Sequence, residues 1–228
     1  MDANIAVGLL MQSAANIYQI KRKDKVVAFV GEYGRMYSGY FSKNKFYEED
    51  FLSYIEDLNI EGDYLDIGGN IGNHALFFSF FCPADRVHTF EPLERYQKYI
   101  RNNINANNLV GKIVLHRFGL SDSTEPVSFE LGGRVQIIDN LITLDESRID
   151  CQKIGLIKID VEGAENKVLS GALQTLMKHK PRVFVEIMQK DDLAQIDRKL
   201  SNIGYRRTSN VFNSSPTYEY VATSNNIN

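Results

Sequence analysis

The chain has 228 residues, of which 43% are hydrophobic and 24% are charged. This composition is that of a globular protein and excludes an intrinsically disordered one. The formal net charge of −3 provides no overall positive field, so we expect no nucleic-acid partner. Two cysteines, Cys82 and Cys151, and four scattered histidines suggest neither a disulfide framework nor a metal site, and we predict none.

Residues 1–58 are predicted to form a helical extension that caps the main domain, residues 59–228. Apolar residues from Ile5 to Ile17 recur at helical spacing, which fits a helix docked on the domain or one lying on a membrane surface. The segment is too short to span a membrane and lacks the positive region of an export signal, so we expect a cytoplasmic protein. The extension is completed by a short strand and a second helix, near residues 26–30 and 47–58.

From Gly62 onward, segments suited to strands alternate with segments suited to helices. The predicted strands lie at residues 64–67, 86–90, 112–118, 154–160 and 181–187. The predicted helices lie at residues 72–81, 93–108, 164–178 and 191–202. Short β-rich pieces fill residues 123–150, and two further strands flank an Asn-Ser-Ser-Pro turn near the end. This order favours a doubly wound, Rossmann-like α/β sheet with an antiparallel C-terminal hairpin.

The segment DIGGNIG, residues 66–72, joins the first strand of this sheet to a helix. A dinucleotide fingerprint starting at Gly68 needs glycine at the positions of Asn70 and Asn73, and no Gly-Lys-Ser/Thr closes a phosphate loop. S-adenosylmethionine carries no phosphate and needs only a close backbone approach and an acid for its ribose. Glu91 ends the next strand, where such an acid lies in related folds. The loop therefore favours S-adenosylmethionine over a dinucleotide.

Structural explanations of the same residues remain open. The glycines also suit a tight turn, and Asp66 also suits a helix cap. Glu91 before Pro92 also suits the N-terminus of a helix. These explanations do not account for the occurrence of all of them at two adjacent strand ends.

Five segments occur in order along roughly residues 45–190: YLDIGGNIGNHALFFS, VHTFEP, FGLSD, ITLDE and IKIDVEGAENKVLSGA. Together they resemble the FkbM family of class I S-adenosylmethionine-dependent methyltransferases. The resemblance implies a seven-stranded mixed sheet whose last strand is antiparallel. It also implies methylation of hydroxyl oxygens, on sugars or on polyketide-type natural products.

The resemblance assigns cofactor-binding roles by position. The glycine loop and the ribose acid that follows it are Asp66, Gly68, Gly69, Asn70, Gly72, Glu91 and Pro92. The segment implied to sandwich the adenine, with an acid close by, is Phe118, Gly119, Leu120 and Asp122. Gly69 stands where alanine is common in the family. In the segment Asn73-His74-Ala75, the third place is often Thr or Ser in the family.

Three residues are candidates for the general base that an alcohol acceptor needs. Asp160 ends the fourth strand beside the cofactor, and Glu162 lies two residues on, where paired carboxylates would raise each other's pKa. His74 lies on the first helical turn after the glycine loop. Each has a structural alternative: a ligand of the cofactor amine for Asp160, a helix charge for Glu162, and a packing histidine for His74.

Further residues are predicted around the acceptor. Glu186 is either an acceptor ligand or a buried acid paired with Lys158 or Arg182, and Tyr47 with Glu48 either closes over the cofactor or caps a helix. Residues 1–58 and 123–140 are expected to shape the acceptor pocket. The aromatic residues of the extension are suited to sugar stacking or to packing of helices on the sheet; they are Tyr33, Tyr37, Tyr40, Phe41, Phe46 and Tyr47.

The sequence predicts an O-methyltransferase whose acceptor is a glycan, a nucleotide-sugar or a natural-product-like small molecule. Three rival functions were weighed. A nucleic-acid methyltransferase would carry an (Asn/Asp)-Pro-Pro-aromatic motif after the fourth strand, and IKIDVEG has no proline there. A nicotinamide oxidoreductase is opposed by Asn70. A non-catalytic cofactor-binding domain and a homodimer are both left open.

Overall fold

The computed structural model describes residues 16–131 and 133–223. Its strands are β1 (Ile17–Arg22), β2 (Lys25–Val30), β3 (Gly62–Ile67), β4 (Ala84–Phe90), β5 (Ile113–His116), β6 (Gly119–Leu120), β7 (Val127–Leu131), β8 (Arg134–Ile138), β9 (Leu141–Ile142), β10 (Ile154–Ile159), β11 (Arg182–Glu186), β12 (Tyr205–Phe212) and β13 (Thr217–Ala222). Its helices are α1 (Arg35–Phe41), α2 (Glu49–Asp57), α3 (Asn73–Phe81), α4 (Glu94–Ala106), α5 (Glu165–Ser170), α6 (Leu173–His179) and α7 (Lys190–Asn202).

The seven-stranded sheet has the strand order β12-β13-β11-β10-β3-β4-β5. Strands β11, β10, β3, β4 and β5 are parallel, and β13 is antiparallel to both of its neighbours. The chain runs from β3 outward to β5 and later returns to the other side of β3 with β10. The point where the order reverses therefore lies between β3 and β10, where ligands bind in open α/β sheets. The predicted fold class and the antiparallel last strand are confirmed.

Both faces of the sheet are buried, because successive residues of a strand point to opposite sides. Tyr64 and Phe184 belong to the core of one face, under α2, α3 and α4. Leu65 and Val183 belong to the core of the other face, under α5, α6 and α7. This arrangement explains why the central strands consist mostly of consecutive apolar residues.

The described part of the N-terminal extension packs into the first of these cores. Phe29 and Phe46 are fully buried in it, and the Phe46 ring lies 5.1 Å from the Phe77 ring of α3. Ile17, expected in an N-terminal helix, begins β1 instead, because β1 pairs along its whole length with β2. The other residues of that predicted helix lie outside the described residues. The domain boundary at residue 58 stays a prediction.

The single helix expected over residues 164–178 is two helices in the structure. A Cβ on Gly171 would lie 2.0 Å from the carbonyl oxygen of Ser121, so the chain approaches its neighbour closely there. Asp145 then accepts hydrogen bonds from the backbone N–H groups of Gln174 and Thr175 and caps the second helix. The interruption is thus produced by residues distant in sequence.

None of the helices between residues 16 and 223 combines the length and the apolarity needed to cross a bilayer.

Candidate active site

The glycine loop lies at the carboxyl ends of β3 and β10. Gly68 has a φ of 88°, and a Cβ there would lie 1.8 Å from the carbonyl oxygen of Asp160. A Cβ on Gly69 would lie 2.1 Å from Thr89 Oγ1 on β4. Both positions therefore require glycine, because the backbone passes against two neighbouring strand ends.

Glu91 is held beside this loop by two backbone hydrogen bonds. The N–H groups of Asn70 and Leu93 donate to its two carboxylate oxygens, each at 2.8 Å. Glu91 is 4% exposed, and burial raises its pKa from 4.5 to about 7 although these hydrogen bonds oppose the shift. Each oxygen keeps a lone pair for a further donor, so the carboxylate can accept hydrogen bonds from two adjacent hydroxyls.

A cavity of about 270 Å³ opens over the loop. Its walls include six of the predicted site residues: Gly68, Asn70, Glu91, Pro92, Asp160 and Glu162. The remaining wall comes from Leu93, Tyr96, Val127, Ser128, Ile138, Val161, Gly163, Ala164 and Lys167. Val127, Ser128 and Ile138 belong to the β7–β8 hairpin, so residues 123–140, predicted to shape the acceptor pocket, contribute to this cavity. Asn70 Oδ1 is buried without a hydrogen-bond partner, which leaves an acceptor for a ligand.

The other predicted cofactor residues do not line this cavity. Gly69 and Gly72 form the turn beneath it, with a φ of 85° at Gly72. Asp66 is fully buried under the loop. Thr89 Oγ1 donates to Asp66 Oδ2 at 3.4 Å.

The predicted adenine segment lies behind the cavity wall. The Phe118 ring packs 5.7 Å from the Phe90 ring, and Leu120 is buried in the second core. A Cβ on Gly119 would come within 3.4 Å of Pro92, so this glycine backs the cavity rather than lining it. Asp122 is exposed, and its charge raises the pKa of Lys199 against the larger lowering effect of burial.

Lys158, expected only as an alternative partner of Glu186, is a central residue of this site. Its side chain is 4% exposed, and its Nζ lies 3.2 Å from Asp160 Oδ2 and 3.5 Å from Asp66 Oδ1. Burial alone would lower the pKa of Lys158, but the charges of Asp160 and Asp66 outweigh it and raise the pKa. A single lysine inside the apolar strand Ile154–Ile159 was the available signal, because an unpaired charge would not be buried there.

Asp160 is paired with Glu186, rather than only with Glu162. Ile159 of β10 pairs with Val185 of β11, so the next residues stand side by side at adjacent strand ends. Their side chains share a hydrogen bond, which requires a proton on one of them. Glu162 lies at the cavity edge, exposed, with a φ of 57°.

The proton of this pair belongs to Glu186. Burial and the neighbouring charge of Asp160 raise the pKa of Glu186 to about 8. Burial opposes ionisation of Asp160, but Lys158 and the hydrogen bond from Glu186 outweigh it and lower its pKa. The arrangement is an ionised Asp160 carboxylate next to a protonated Glu186 carboxylic acid. Lys158 stabilises the ionised form of Asp160.

His74 also meets a carboxylate. Its Nε2 lies 2.9 Å from Glu48 Oε2, and both side chains are almost buried. The Tyr47 N–H donates to Asn73 Oδ1, and Asn73 Nδ2 donates to the Tyr47 carbonyl oxygen. Glu48 follows with a left-handed φ of 59°. These hydrogen bonds fix the segment in the position that places Glu48 next to His74.

Two tyrosines of the extension complete this side of the site. Burial is the main cause that raises the pKa of both Tyr37 and Tyr47, and the charges of Asp160 and Glu48 contribute to both. Their rings contact each other at 5.2 Å. The extension therefore lies close to Asp160, and the acceptor-binding role expected of its aromatic residues stays a prediction.

The methyltransferase FkbM domain family matches this chain over residues 66–207. The chain belongs to the FkbM methyltransferase family. The matched region begins at Asp66 and includes Glu91, Lys158, Asp160 and Glu186, which are the residues that the structure brings together. The family assignment makes this chain a methyltransferase, and the site above is the candidate centre of an FkbM methyltransferase.

Similar proteins agree with this assignment. The hexuronic acid methyltransferase AglP of Haloferax volcanii is 29% identical over 168 residues, which cover 68% of each chain. The structure of an FkbM methyltransferase from Methylobacillus flagellatus superposes with a TM-score of 0.56 at 20% identity, over 71% of this chain but 43% of that one. A precorrin-6y C5,15-methyltransferase from Geobacter metallireducens has a TM-score of 0.52 at 13% identity, over 77% and 88%. The two structural likenesses support the fold.

Proposed function

We propose that this FkbM methyltransferase uses S-adenosylmethionine to methylate a hydroxyl oxygen of a sugar. The observation that carries the proposal is the continuity of one cavity from Glu91 to Asp160. At one end of the cavity, the Glu91 carboxylate can accept hydrogen bonds from two hydroxyls. At the other end, the Asp160 carboxylate can accept a proton. A sugar acceptor is supported by the printed activity of the Haloferax relative, which is a hexuronic acid methyltransferase.

The residues present fit S-adenosylmethionine. Glu91 would accept hydrogen bonds from the ribose hydroxyls, and Asn70 Oδ1 and the backbone at Gly68 offer further polar contacts. A pyrophosphate has no cradle here, because Asn70 occupies the second glycine position and its N–H is used by Glu91. When bound, the cofactor supplies an electrophilic methyl group on a sulfonium, which needs no metal for activation.

Asp160 is the proposed general base. Its lowered pKa keeps it ionised, and its side chain is 30% exposed toward the cavity. Asp160 would take the proton of the acceptor hydroxyl as the new O–CH3 bond forms and the sulfonium S–CH3 bond breaks, with S-adenosylhomocysteine as the leaving thioether. Lys158 donates a hydrogen bond to Asp160 Oδ2, and Glu186 stands beside Asp160 at the end of the adjacent strand, so both help to hold the carboxylate in place. A positioned base of this kind contributes about 10²–10⁴-fold to rate.

His74 and Glu162 remain rival bases. The Glu48–His74 pair has the geometry of a carboxylate-oriented imidazole. Glu162 lines the cavity, and burial together with the charge of Asp160 raises its pKa. A cytoplasmic location and a homodimer stay predictions, and a nucleic-acid acceptor has no support in these residues.

Labelled S-adenosylmethionine, supplied with separated glycan, metabolite and nucleic-acid fractions, tests the proposal. We expect label in a sugar-containing fraction. Asp160→Asn should lower kcat by about 10²–10⁴-fold while changing the affinity for S-adenosylhomocysteine only slightly. The Asp24→Asn variant is the matched control and should keep full activity, because Asp24 is exposed and lies outside the cavity.

Label only in RNA or DNA would support the rival methyltransferase, and no label in any fraction would support a non-catalytic domain. Full activity of folded Asp160→Asn would refute the base assignment. The variants His74→Gln and Glu162→Gln, measured in parallel, then show which rival carries the proton.

A further inference from the structure

A second groove of about 360 Å³ adjoins the cofactor cavity, and no role has been assigned to it above. Its walls include four tyrosines, Tyr33, Tyr37, Tyr96 and Tyr99, and three charged residues, Glu32, Arg35 and Arg95. Tyr96 lines both the groove and the cofactor cavity, and Ile71 follows the cavity residue Asn70. The volume falls in the range of small-molecule sites. A molecule in the groove would therefore be within reach of the cofactor.

The aromatic walls of the groove are held in place by hydrogen bonds that occupy two tyrosine hydroxyls. Tyr33 Oη donates to Asn103 Oδ1 at 3.0 Å, and Tyr99 Oη donates to the carbonyl oxygen of Glu32 at 2.8 Å. The two rings pack with centroids 5.1 Å apart. A Cβ on Gly31 would lie 2.6 Å from the Tyr99 ring, so β2 is pressed against this wall. The groove is preformed and presents ring surfaces, which suit the apolar faces of a pyranose.

The charges on the open side of the groove are two arginines and one glutamate. Arg35 and Arg95 are exposed, and neither forms an ion pair with any residue in the described part of the chain. Arg95 lies over the Tyr96 ring at 4.5 Å and donates to its hydroxyl at 3.1 Å, which holds it at the shared wall. With Glu32 counted, the groove keeps a net positive charge. Guanidinium groups bind planar carboxylates with two parallel hydrogen bonds.

The inner end of the groove has the opposite polarity. Tyr37 forms part of its wall, and the charges of Asp160 and Glu48 act on the Tyr37 hydroxyl. Lys158 is the one cation that acts on the same hydroxyl, so two carboxylates oppose one cation there. A carboxylate placed at that end would be repelled, whereas a neutral hydroxyl would be accepted. The charge gradient thus orients an acceptor that has both groups.

We propose that this groove is the acceptor subsite and that it selects a sugar bearing a carboxylate, whose acid group binds Arg35 and Arg95 while a hydroxyl reaches Asp160. This inference rests on the proposed function for the fate of the hydroxyl, but the binding itself can be measured without turnover.

Binding of methyl β-glucuronide and methyl β-glucoside, which differ only by the carboxylate, tests the selection. We would measure both by ligand-observed NMR on the full chain saturated with S-adenosylhomocysteine. The glucuronide should bind about tenfold more tightly or better, and added salt should reduce the difference. Arg35→Gln and Arg95→Gln should each weaken glucuronide binding several-fold, and the double variant should bind both sugars alike.

Arg101→Gln is the matched control, because Arg101 is an exposed arginine of the same helix as Arg95 and lies outside the groove. It should leave the preference unchanged. Equal binding of the two sugars by the wild-type protein, no binding of either, or a preference that survives in the double variant would each overturn the subsite. Arginine-dependent glucuronide binding without methyl transfer to any sugar would uphold the subsite and refute the proposed function.

Discussion

Gly68 shows how closely the site depends on single residues. Its missing Cβ would fall 1.8 Å from the Asp160 carbonyl, and its φ is 88°. We expect Gly68→Ala to destabilise the fold by about 2–4 kcal/mol, because strain and a backbone clash add together. Cofactor binding should be lost with it. Urea unfolding and calorimetry with S-adenosylhomocysteine measure both effects.

Gly111→Ala is the control for this prediction. Gly111 has a nearly identical φ of 87°, but a Cβ there meets no atom within 4 Å. Gly111→Ala should lower the free energy of unfolding only by the strain of a left-handed backbone, about 1–2 kcal/mol, and should leave cofactor binding intact. Equal losses in the two variants would show that close approach to Asp160 is unimportant.

The role proposed for Glu91 predicts that cofactor binding depends on pH near neutrality. Its pKa of about 7 leaves it partly protonated in the free protein at neutral pH. Ribose hydroxyls donate best to the ionised form, so binding should strengthen about tenfold from about pH 6 to about pH 8. Glu91→Gln should bind weakly with this dependence removed. Calorimetry across that pH range measures the affinity. An unchanged pH dependence of the affinity in Glu91→Gln would exclude Glu91 as its cause.

The same group affects the stability of the ligand-free protein. Because the folded pKa lies above the ordinary 4.5, the folded state holds more protons than the unfolded state between about pH 4.5 and pH 7. The contribution is therefore complete below about pH 4.5 and is lost as the pH rises through about 7. Urea unfolding should show this loss in the wild type and a smaller one in Glu91→Gln.

At the scale of elements, the attachment of β2 to α4 depends on asparagine side chains. Asn103 Oδ1 accepts from the N–H of Val30, and its Nδ2 donates to the carbonyl oxygen of Ile71. Asn107 bonds both backbone groups of Ala28. The two side chains thus supply the backbone partners that an edge strand would otherwise lack.

Asn103→Ala should therefore lower the free energy of unfolding by about 2–4 kcal/mol, because two buried backbone groups lose their partners. It should also loosen the tyrosine groove, since Asn103 holds Tyr33. Asn105→Ala, an exposed change on the same helix, should stay within about 0.5 kcal/mol. Thermal unfolding compares the two variants, and similar changes in both would contradict a specific contribution of the Asn103 hydrogen bonds, because Asn→Ala by itself raises helix propensity.

Element boundaries show what local patterns can predict. The strands β3, β4, β10 and β11 and the helices α3, α4 and α7 were predicted within about two residues, because each has its own apolar periodicity. Helix α1 was missed, and the break between α5 and α6 was missed as well. Helix α1 depends on an aromatic cluster, and the break between α5 and α6 depends on the cap from Asp145. Both are contacts between segments that are distant in sequence.

For the whole molecule, the shared core predicts one cooperative unit. Phe46 of the extension is fully buried against Phe77 and Phe81 of α3. Phe46→Ala should lower the stability of the entire chain by about 3–5 kcal/mol and shift a single transition. Val26→Ala, a half-exposed change in the same extension, should have little effect. Calorimetry with two separate transitions, only one of them shifted, would instead support independent domains divided near residue 58.

The sequence by itself determined the alternating strands and helices, the antiparallel end and the glycine loop with the acid that ends the next strand, since these follow from local periodicity and from motif spacing. Only the tertiary structure decided that Asp160 is paired with Glu186 and Lys158, and that two arginines face the tyrosine groove. The physical reason is that a pKa and a binding surface depend on charges brought together from separate strands and helices. No short segment of the chain contains that information.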